Sequence, residues 1–233
     1  LEKNKQTLDS YSSDNASRPV NYNNDETRLF PSANLAFNLS AKSLLRATYG
    51  LTINRPEFRE IAPFAYYDFE LKRVIRGNDT LSNSLVHNID LRYEFYPSPT
   101  EAFIIGAFYK KFTAPIETIE INSGSGRDYT FQNALGAYSA GIEMDIRSSF
   151  STFFPGISWM KNISLVANVA LIKSQIEVDT NRFYSRSFRR PMMGQSPYIV
   201  NAGLYYQNSE HRVNMSLLYN VSGKRIVVVG LDF

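Results

Sequence analysis

Three charged residues are spaced for chemistry on one strand: Glu143, Asp145 and Arg147. Alternate residues of a β-strand share a face, so the three side chains should project to the same side. Two neighbouring carboxylates can serve general acid–base catalysis. An ion-paired wall facing water is the stronger interpretation, because Arg147 lies on the same face two residues beyond Asp145.

Other catalytic signals are weak. No serine nucleophile elbow and no HExxH sequence occur, and the Ser-Gly-Ser-Gly run at 123–126 lacks the lysine and the helix of a phosphate loop. That run is better interpreted as a flexible hairpin tip. His87 and His211 lie far apart, and cysteine is absent, which excludes disulfides and thiolate metal sites. We therefore expect no enzyme, no catalytic residues, no metal site and no cofactor.

The composition favours a membrane protein that is not helical. Only 20% of the 233 residues are charged, whereas 31 are Phe or Tyr (16 plus 15). The net charge of +3 is too small and too scattered to indicate nucleic-acid binding. No apolar run approaches the ~18 residues of a transmembrane helix, so the chain could cross a membrane only with strands.

Alternation of polar and apolar residues dominates from about residue 34 onward. In 88–95, for example, every second residue is apolar, and the same holds in 138–147 and 163–171. Several of these segments exceed ten residues, whereas soluble strands cluster near ~5–6 and membrane strands need ~9–11. The pattern predicts an all-β chain of about ten long strands.

The connections alternate in length. Short turns are expected at 40–43, 97–100 and 208–211, an intermediate link at 153–162, and long polar links near 54–84, 121–129 and 179–196. Short turns on one side and long loops on the other are typical of an antiparallel up-and-down barrel in an outer membrane. The alternative is a half-buried sheet of a soluble protein, which would be favoured for any one strand alone.

The barrel interpretation assigns the two faces of each strand. Ile89, Leu91, Ile142 and Met144 should face lipid. Charged residues of the opposite parity should face the lumen or a plug inside it: Arg46, Arg92, Glu94, Glu143, Asp145 and Arg147.

Two links carry charged residues with further possible roles. Arg55, Glu57, Arg59 and Glu60 surround two prolines, and they should either brace a folded-back loop or contact something at the barrel mouth. The link 179–196 holds aromatic residues beside four arginines, which are Arg182, Arg186, Arg189 and Arg190. It could meet an anionic ligand or lipopolysaccharide, although an unpaired extracellular loop is slightly favoured.

Three runs resemble the barrel of TonB-dependent outer-membrane receptors of the Bacteroidetes type. Residues 54–64 read Asn-Arg-Pro-Glu-Phe-Arg-Glu-Ile-Ala-Pro-Phe, residues 90–97 read Asp-Leu-Arg-Tyr-Glu-Phe-Tyr-Pro, and residues 194–201 read Gly-Gln-Ser-Pro-Tyr-Ile-Val-Asn. The resemblance covers roughly residues 30–230. The first run is the most specific of the three.

The resemblance implies a 22-stranded barrel in outer-membrane lipid, closed by a plug domain of the same parent chain and driven by TonB–ExbB–ExbD. This chain departs from that pattern, since it has about ten strands and neither plug sequence nor TonB box. We therefore expect a C-terminal part of the barrel, with residues 1–28 a polar extracellular loop segment and residues 29–233 transmembrane strands with long extracellular loops.

Three functions remain open at this point. The first is active import of a scarce nutrient, which could be a siderophore, cobalamin, a glycan or a peptide. The second is a passive outer-membrane channel. The third is a non-transporting barrel that serves as a platform for a surface or assembly partner; a surface lipoprotein is a candidate partner in the first and third cases. Fold alone does not decide among them.

Overall fold

A computed structural model describes residues 1–11, 19–69, 72–123, 126–178, 189–208, 210–227 and 229. It is all-β and antiparallel in its main sheet, as the alternation predicted. The helices in these residues are single turns: α1 (Phe58–Ile61), α2 (Phe150–Phe153) and a 3-10 helix (Ser158–Asn162). No helix in the described part of the chain is long and apolar enough to span a membrane.

Eight long strands form the main sheet. In chain order they are β3 (Ser32–Ser40), β4 (Ser43–Asn54), β7 (Ser84–Phe95), β8 (Ala102–Thr113), β11 (Gly136–Ser149), β12 (Ile163–Glu177), β14 (Tyr198–Asn208) and β15 (Val213–Ser222). Each pairs antiparallel with the next, so the spatial order follows the chain order. A two-residue strand, β13 (Arg189–Arg190), pairs with the end of β12.

Six further strands lie outside the main sheet. β5 (Ala65–Asp68), β6 (Arg73–Arg76), β9 (Ile116–Ser123) and β10 (Gly126–Asn133) form a second sheet in the order β5-β6-β10-β9, with β6 and β10 parallel. β1 (Glu2–Tyr11) and β2 (Pro19–Arg28) form a hairpin. The prediction of about ten long strands counted some alternation that belongs to these connections.

The register separates an apolar face from a polar face. On the apolar face Leu91 pairs with Ala47 and Ala107, and Ile142 pairs with Ala107 and Leu171. These large side chains remain half exposed: Leu91 by 50%, Ile142 by 55% and Leu171 by 58%. No other described part of the chain covers this face, as expected for side chains that meet lipid.

The two ends of the main sheet differ. At the short-turn end, brief links join β3 to β4, β7 to β8 and β14 to β15, and a longer link with α2 and the 3-10 helix joins β11 to β12. At the long-connection end lie α1, the second sheet, β13 and the β1–β2 hairpin. This arrangement matches the alternation of link lengths in the sequence.

The packed apolar core lies at the long-connection end. One cluster contains Ile119, Ala134, Ile176 and Val178, and a second contains Tyr22, Ile61 and Leu81. The first cluster joins the second sheet to the end of β12. The second joins the β1–β2 hairpin to α1 and to the link before β7. In the main sheet, by contrast, neither face is buried as a protein core would be, apart from isolated positions such as Ala170.

Candidate functional site

The polar face of the main sheet brings three of the expected lumen residues together. Arg46 and Arg92 are direct partners across β4 and β7. Two like charges in this position destabilise a strand pair. Glu94 compensates, since its carboxylate lies 3.3 Å from Arg46 Nε and 3.8 Å from Arg92 Nη1. The Tyr96 hydroxyl donates a further hydrogen bond of 2.7 Å to Glu94, whose side chain is only 6% exposed.

Beside this cluster lies a recess of about 240 Å³. Its lining includes Arg46, Thr48, Asp90, Arg92, Phe108 and Glu143. Thr48 donates a 3.4 Å hydrogen bond to Asp90 across the strand pair. The recess therefore presents both cationic and anionic groups on the face opposite to the apolar one, where a charged or hydrogen-bonding partner could dock.

The predicted ion-paired wall on β11 differs from what is observed. Asp145 accepts a 2.6 Å hydrogen bond from Asn168 on β12, while Glu143 and Arg147 form no ion pair with any described residue. Side chains two positions apart on a strand are separated by ~6.6–6.8 Å along its axis. The nearest partner of a side chain such as that of Asp145 is therefore on the neighbouring strand. The sequence does not show which residue of that strand lies opposite to it.

Asp145 begins a polar row that sequence reasoning missed. Its register partner is Asn168, which pairs with Asn201, which pairs with Asn220 on β15. The Asn201 amide donates to Asn168 at 3.4 Å, and the Asn220 amide donates to Asn201. The row crosses four strands of the polar face. Only the recurrence of Asn at strand positions of one parity could have indicated it.

The residues expected to brace a loop lie around α1. The backbone N–H of Glu57 donates a 2.8 Å hydrogen bond to Glu60, and burial raises the pKa of the Glu60 carboxyl above its ordinary value. Arg59 lies over the ring of Tyr66, 5.8 Å from its centroid. Arg55 forms a 2.8 Å ion pair with Glu2 of the first hairpin. This last contact joins segments that the sequence analysis treated as separate.

The four arginines of the link 179–196 have different surroundings. Arg182 and Arg186 lie outside the described residues. Arg190 is 10% exposed and forms an ion pair with Glu117 of β9, which also accepts a hydrogen bond from the Met193 backbone. Its guanidinium is thus occupied within the fold. Arg189 is 62% exposed and lies 3.6 Å from Glu177.

Metal-binding chemistry finds no support in the residues that the structure covers. They contain no group of three His, Cys, Asp or Glu side chains placed to hold an ion. His87 instead shares a 3.0 Å hydrogen bond with the Tyr49 hydroxyl on the apolar face.

Glu94→Gln should lower the free energy of unfolding by about 1–2 kcal/mol, because the amide leaves Arg46 and Arg92 facing each other without a compensating charge. Glu143→Gln is the matched control on the same face and should change stability by less than about 0.5 kcal/mol. Urea titration of the full-length protein, followed by heat-modifiable gel migration, measures both. Equal stability of the two variants would contradict a bridging role for Glu94.

The sequence of the chain matches a known family of outer-membrane proteins. Residues 1–221 match the profile of the outer membrane protein beta-barrel family. Among curated protein sequences, none matches the chain.

Solved structures share the fold at low sequence identity. The siderophore receptor PirA from Pseudomonas aeruginosa superposes with a TM-score of 0.57 at 17% identity, over 88% of this chain and 32% of that one. A variant of the ferric enterobactin receptor PfeA from the same organism gives 0.55 at 16% identity, over 89% and 29%. The copper transporter OprC gives 0.63 at 15% identity, over 95% and 30%. The chain thus spans about a third of the length of these proteins.

Proposed function

Because this chain belongs to the outer membrane protein beta-barrel family, we propose that it forms one section of a TonB-dependent receptor that actively imports a scarce nutrient. The chain lies in the outer membrane of a Gram-negative bacterium and forms part of an antiparallel β-barrel. It is not an enzyme, as the sequence predicted, since the family and the similar structures are outer-membrane barrels, receptors and a transporter.

The main support for this proposal is the arrangement of charges on the polar face of the main sheet. A passive pore needs only a water-filled lumen, whereas this wall holds a buried carboxylate, Glu94, fixed between two arginines beside a charged recess. Such a preorganised surface suits a folded partner with complementary charges, because fixed ion pairs cost no further ordering when the partner docks. We assign that partner to a plug domain of the parent chain, with Arg46, Arg92, Glu143, Asp145 and Arg147 lining the barrel around it.

The energy source follows from a plugged barrel. A plug closes the lumen to diffusion, so import needs work, which in this class of receptor comes through TonB–ExbB–ExbD from the inner membrane. The three sequence runs that resemble Bacteroidetes-type receptors support this assignment, and they support the further proposal that the chain is a C-terminal part of the barrel. The solved structures with this fold include receptors for a siderophore and for ferric enterobactin, and a copper transporter.

The proposed substrate is a siderophore, cobalamin, a glycan or a peptide. The loops at the long-connection end, including the segment braced by Arg55, Glu57, Arg59 and Glu60, would form the outer mouth. By the length rule for outer-membrane barrels, this end faces the cell exterior. Residues 1–28 then belong to an extracellular segment, and residues 29–233 supply the barrel wall and its loops.

Growth of a deletion strain on limiting amounts of these nutrients tests the proposal. The strain should fail on one class, and the full-length gene should restore growth only while TonB and the proton gradient are intact. Restored uptake after the gradient is dissipated would indicate a passive channel. Normal growth on every nutrient, with a surface protein co-purifying, would indicate a platform instead.

A further inference from the structure

The apolar face changes character near the long-connection end. Its middle row contains Leu91, Ala107, Ile142 and Leu171 in direct register. The next row toward the long connections contains Ile89, Tyr109, Ala140 and Lys173, and the row beyond it contains His87, Lys111, Tyr138 and Gln175. Each of these two outer rows thus adds one tyrosine and one lysine to the aliphatic face, and all of these side chains project to the same side of the sheet.

A groove of about 590 Å³ lies at this boundary. Its lining includes Tyr109, Lys111, Tyr138, Gln175, Glu177 and Arg189, and we name it the rim groove. The rings of Tyr109 and Tyr138 stack at 6.2 Å between centroids, with 19° between their planes. The Tyr138 hydroxyl donates a 3.0 Å hydrogen bond to the side-chain carbonyl of Gln175, and this bond does not use the N–H donors of the Gln175 amide.

The charge of the rim groove is positive. Lys111 and Arg189 line it, and Lys173 is exposed one row below on the same face. Glu177 is the one carboxylate among the lining residues, and Arg189 lies 3.6 Å from it. Two cations against one carboxylate leave the lining with a net charge of +1, and Lys173 adds a further positive charge beside it. Lys111 and Lys173 lie two strands and one row apart, so their Cα atoms are separated by roughly 12 Å at ~4.8 Å per strand and ~6.7 Å per row. Both flexible side chains can therefore reach one anion.

The position of Lys111 and Lys173 indicates that the anionic ligand is a lipid rather than a dissolved anion. They belong to the face whose large apolar side chains are half exposed, and a lysine on that face is tolerated only near the interface, where its ammonium reaches the headgroups. An acyl chain that descends from the rim groove would lie along Leu171 and Ile142. The headgroup would then meet lysine ammonium groups, amide donors and tyrosine rings.

We propose that the rim groove is a binding site for a phosphorylated glycolipid of the outer leaflet, whose phosphate is held by Lys111 and Lys173, with Arg189 at the edge. This site lies outside the barrel and is independent of the imported nutrient. It would anchor the long-connection end to the outer leaflet, directly beside the packed links that contain β13 and β9.

Native mass spectrometry of the full-length receptor, titrated with purified lipopolysaccharide, tests the site. The double variant Lys111→Ala/Lys173→Ala should bind about 30-fold more weakly, since each lysine near a phosphate surface contributes roughly a fivefold factor. The matched control is Lys110→Ala/Lys161→Ala. Lys110 is adjacent in sequence but lies over Phe108 on the polar face, and Lys161 lies at the short-turn end. Heat-modifiable migration confirms that both variants are folded.

Wild-type protein provides a second test that needs no variant. Enzymatically dephosphorylated lipopolysaccharide should bind about as weakly as the intact lipid binds to the double variant. Inorganic phosphate at millimolar concentration should not compete. Unchanged binding by the double variant, full binding of the dephosphorylated lipid or effective competition by inorganic phosphate would each overturn the proposal, the last in favour of a soluble-anion site.

Discussion

Leu91→Arg in the full-length protein is expected to lower the free energy of unfolding from the membrane by about 2–4 kcal/mol, the cost of an arginine at the lipid-facing midplane of a barrel. Leu91 lies in the middle of β7, and its register partners Ala47 and Ala107 leave its side chain half exposed on the apolar face. If the apolar face were in contact with water, replacement of the half-exposed Leu91 by arginine would change the stability only slightly. In lipid, the guanidinium must be desolvated or must distort the bilayer to reach the headgroups.

Thr48→Arg is the matched control. Thr48 lies on the neighbouring strand, but on the polar face, where it is the register partner of Asp90 and lines the charged recess. An arginine there would gain a carboxylate neighbour in an aqueous environment. Folding into lipid vesicles, followed by heat-modifiable migration over a urea series, compares the two. If both variants fold equally well, the assignment of the apolar face to lipid is wrong.

Glu117→Gln is expected to destabilise the long-connection end by about 3 kcal/mol, because removal of one partner leaves the buried Arg190 charge uncompensated. The two side chains are 6% and 10% exposed, and the Met193 backbone also donates to Glu117. The loss should be local, since the pair joins β9 to the segment around β13 rather than strands of the main sheet. Limited proteolysis and hydrogen exchange of that end measure it, while the migration of the intact barrel stays unchanged.

Glu177→Gln supplies the control for this prediction. Its ion pair with Arg189 joins side chains that are 41% and 62% exposed, and such pairs contribute between zero and about 1 kcal/mol. The double variant Glu117→Leu/Arg190→Leu should recover most of the lost stability, because it removes both charges together. Proteolysis of Glu117→Gln at the wild-type rate would show that the pair does not hold the long-connection end.

Local pattern was enough to predict the long strands of the main sheet and which of their side chains share a face. Alternation in 88–95 and 138–147 placed Leu91 and Ile142 on one side and Arg92 and Asp145 on the other, because side-chain direction in a strand depends only on parity. Turn residues and link lengths were likewise local, and they correctly separated the short-turn end from the long-connection end.

Partners across the sheet could not be obtained in this way. The sequence grouped Glu143, Asp145 and Arg147 as neighbours, whereas the register gives Asp145 to Asn168 and leads on through Asn201 to Asn220. Contacts between links were equally hidden: Arg55 meets Glu2, and Arg190 meets Glu117, over separations of 53 and 73 residues (55 minus 2 and 190 minus 117).

The sequence by itself therefore determined an all-β chain with one apolar and one polar face, crossing the outer membrane with long strands and carrying long links at one end. The tertiary structure alone decided which charges are paired, which are buried and which remain at the surface. The physical reason is that parity is a property of one strand, whereas a salt bridge, a buried cluster or a groove needs atoms from segments that only strand register and loop packing bring within a few ångströms.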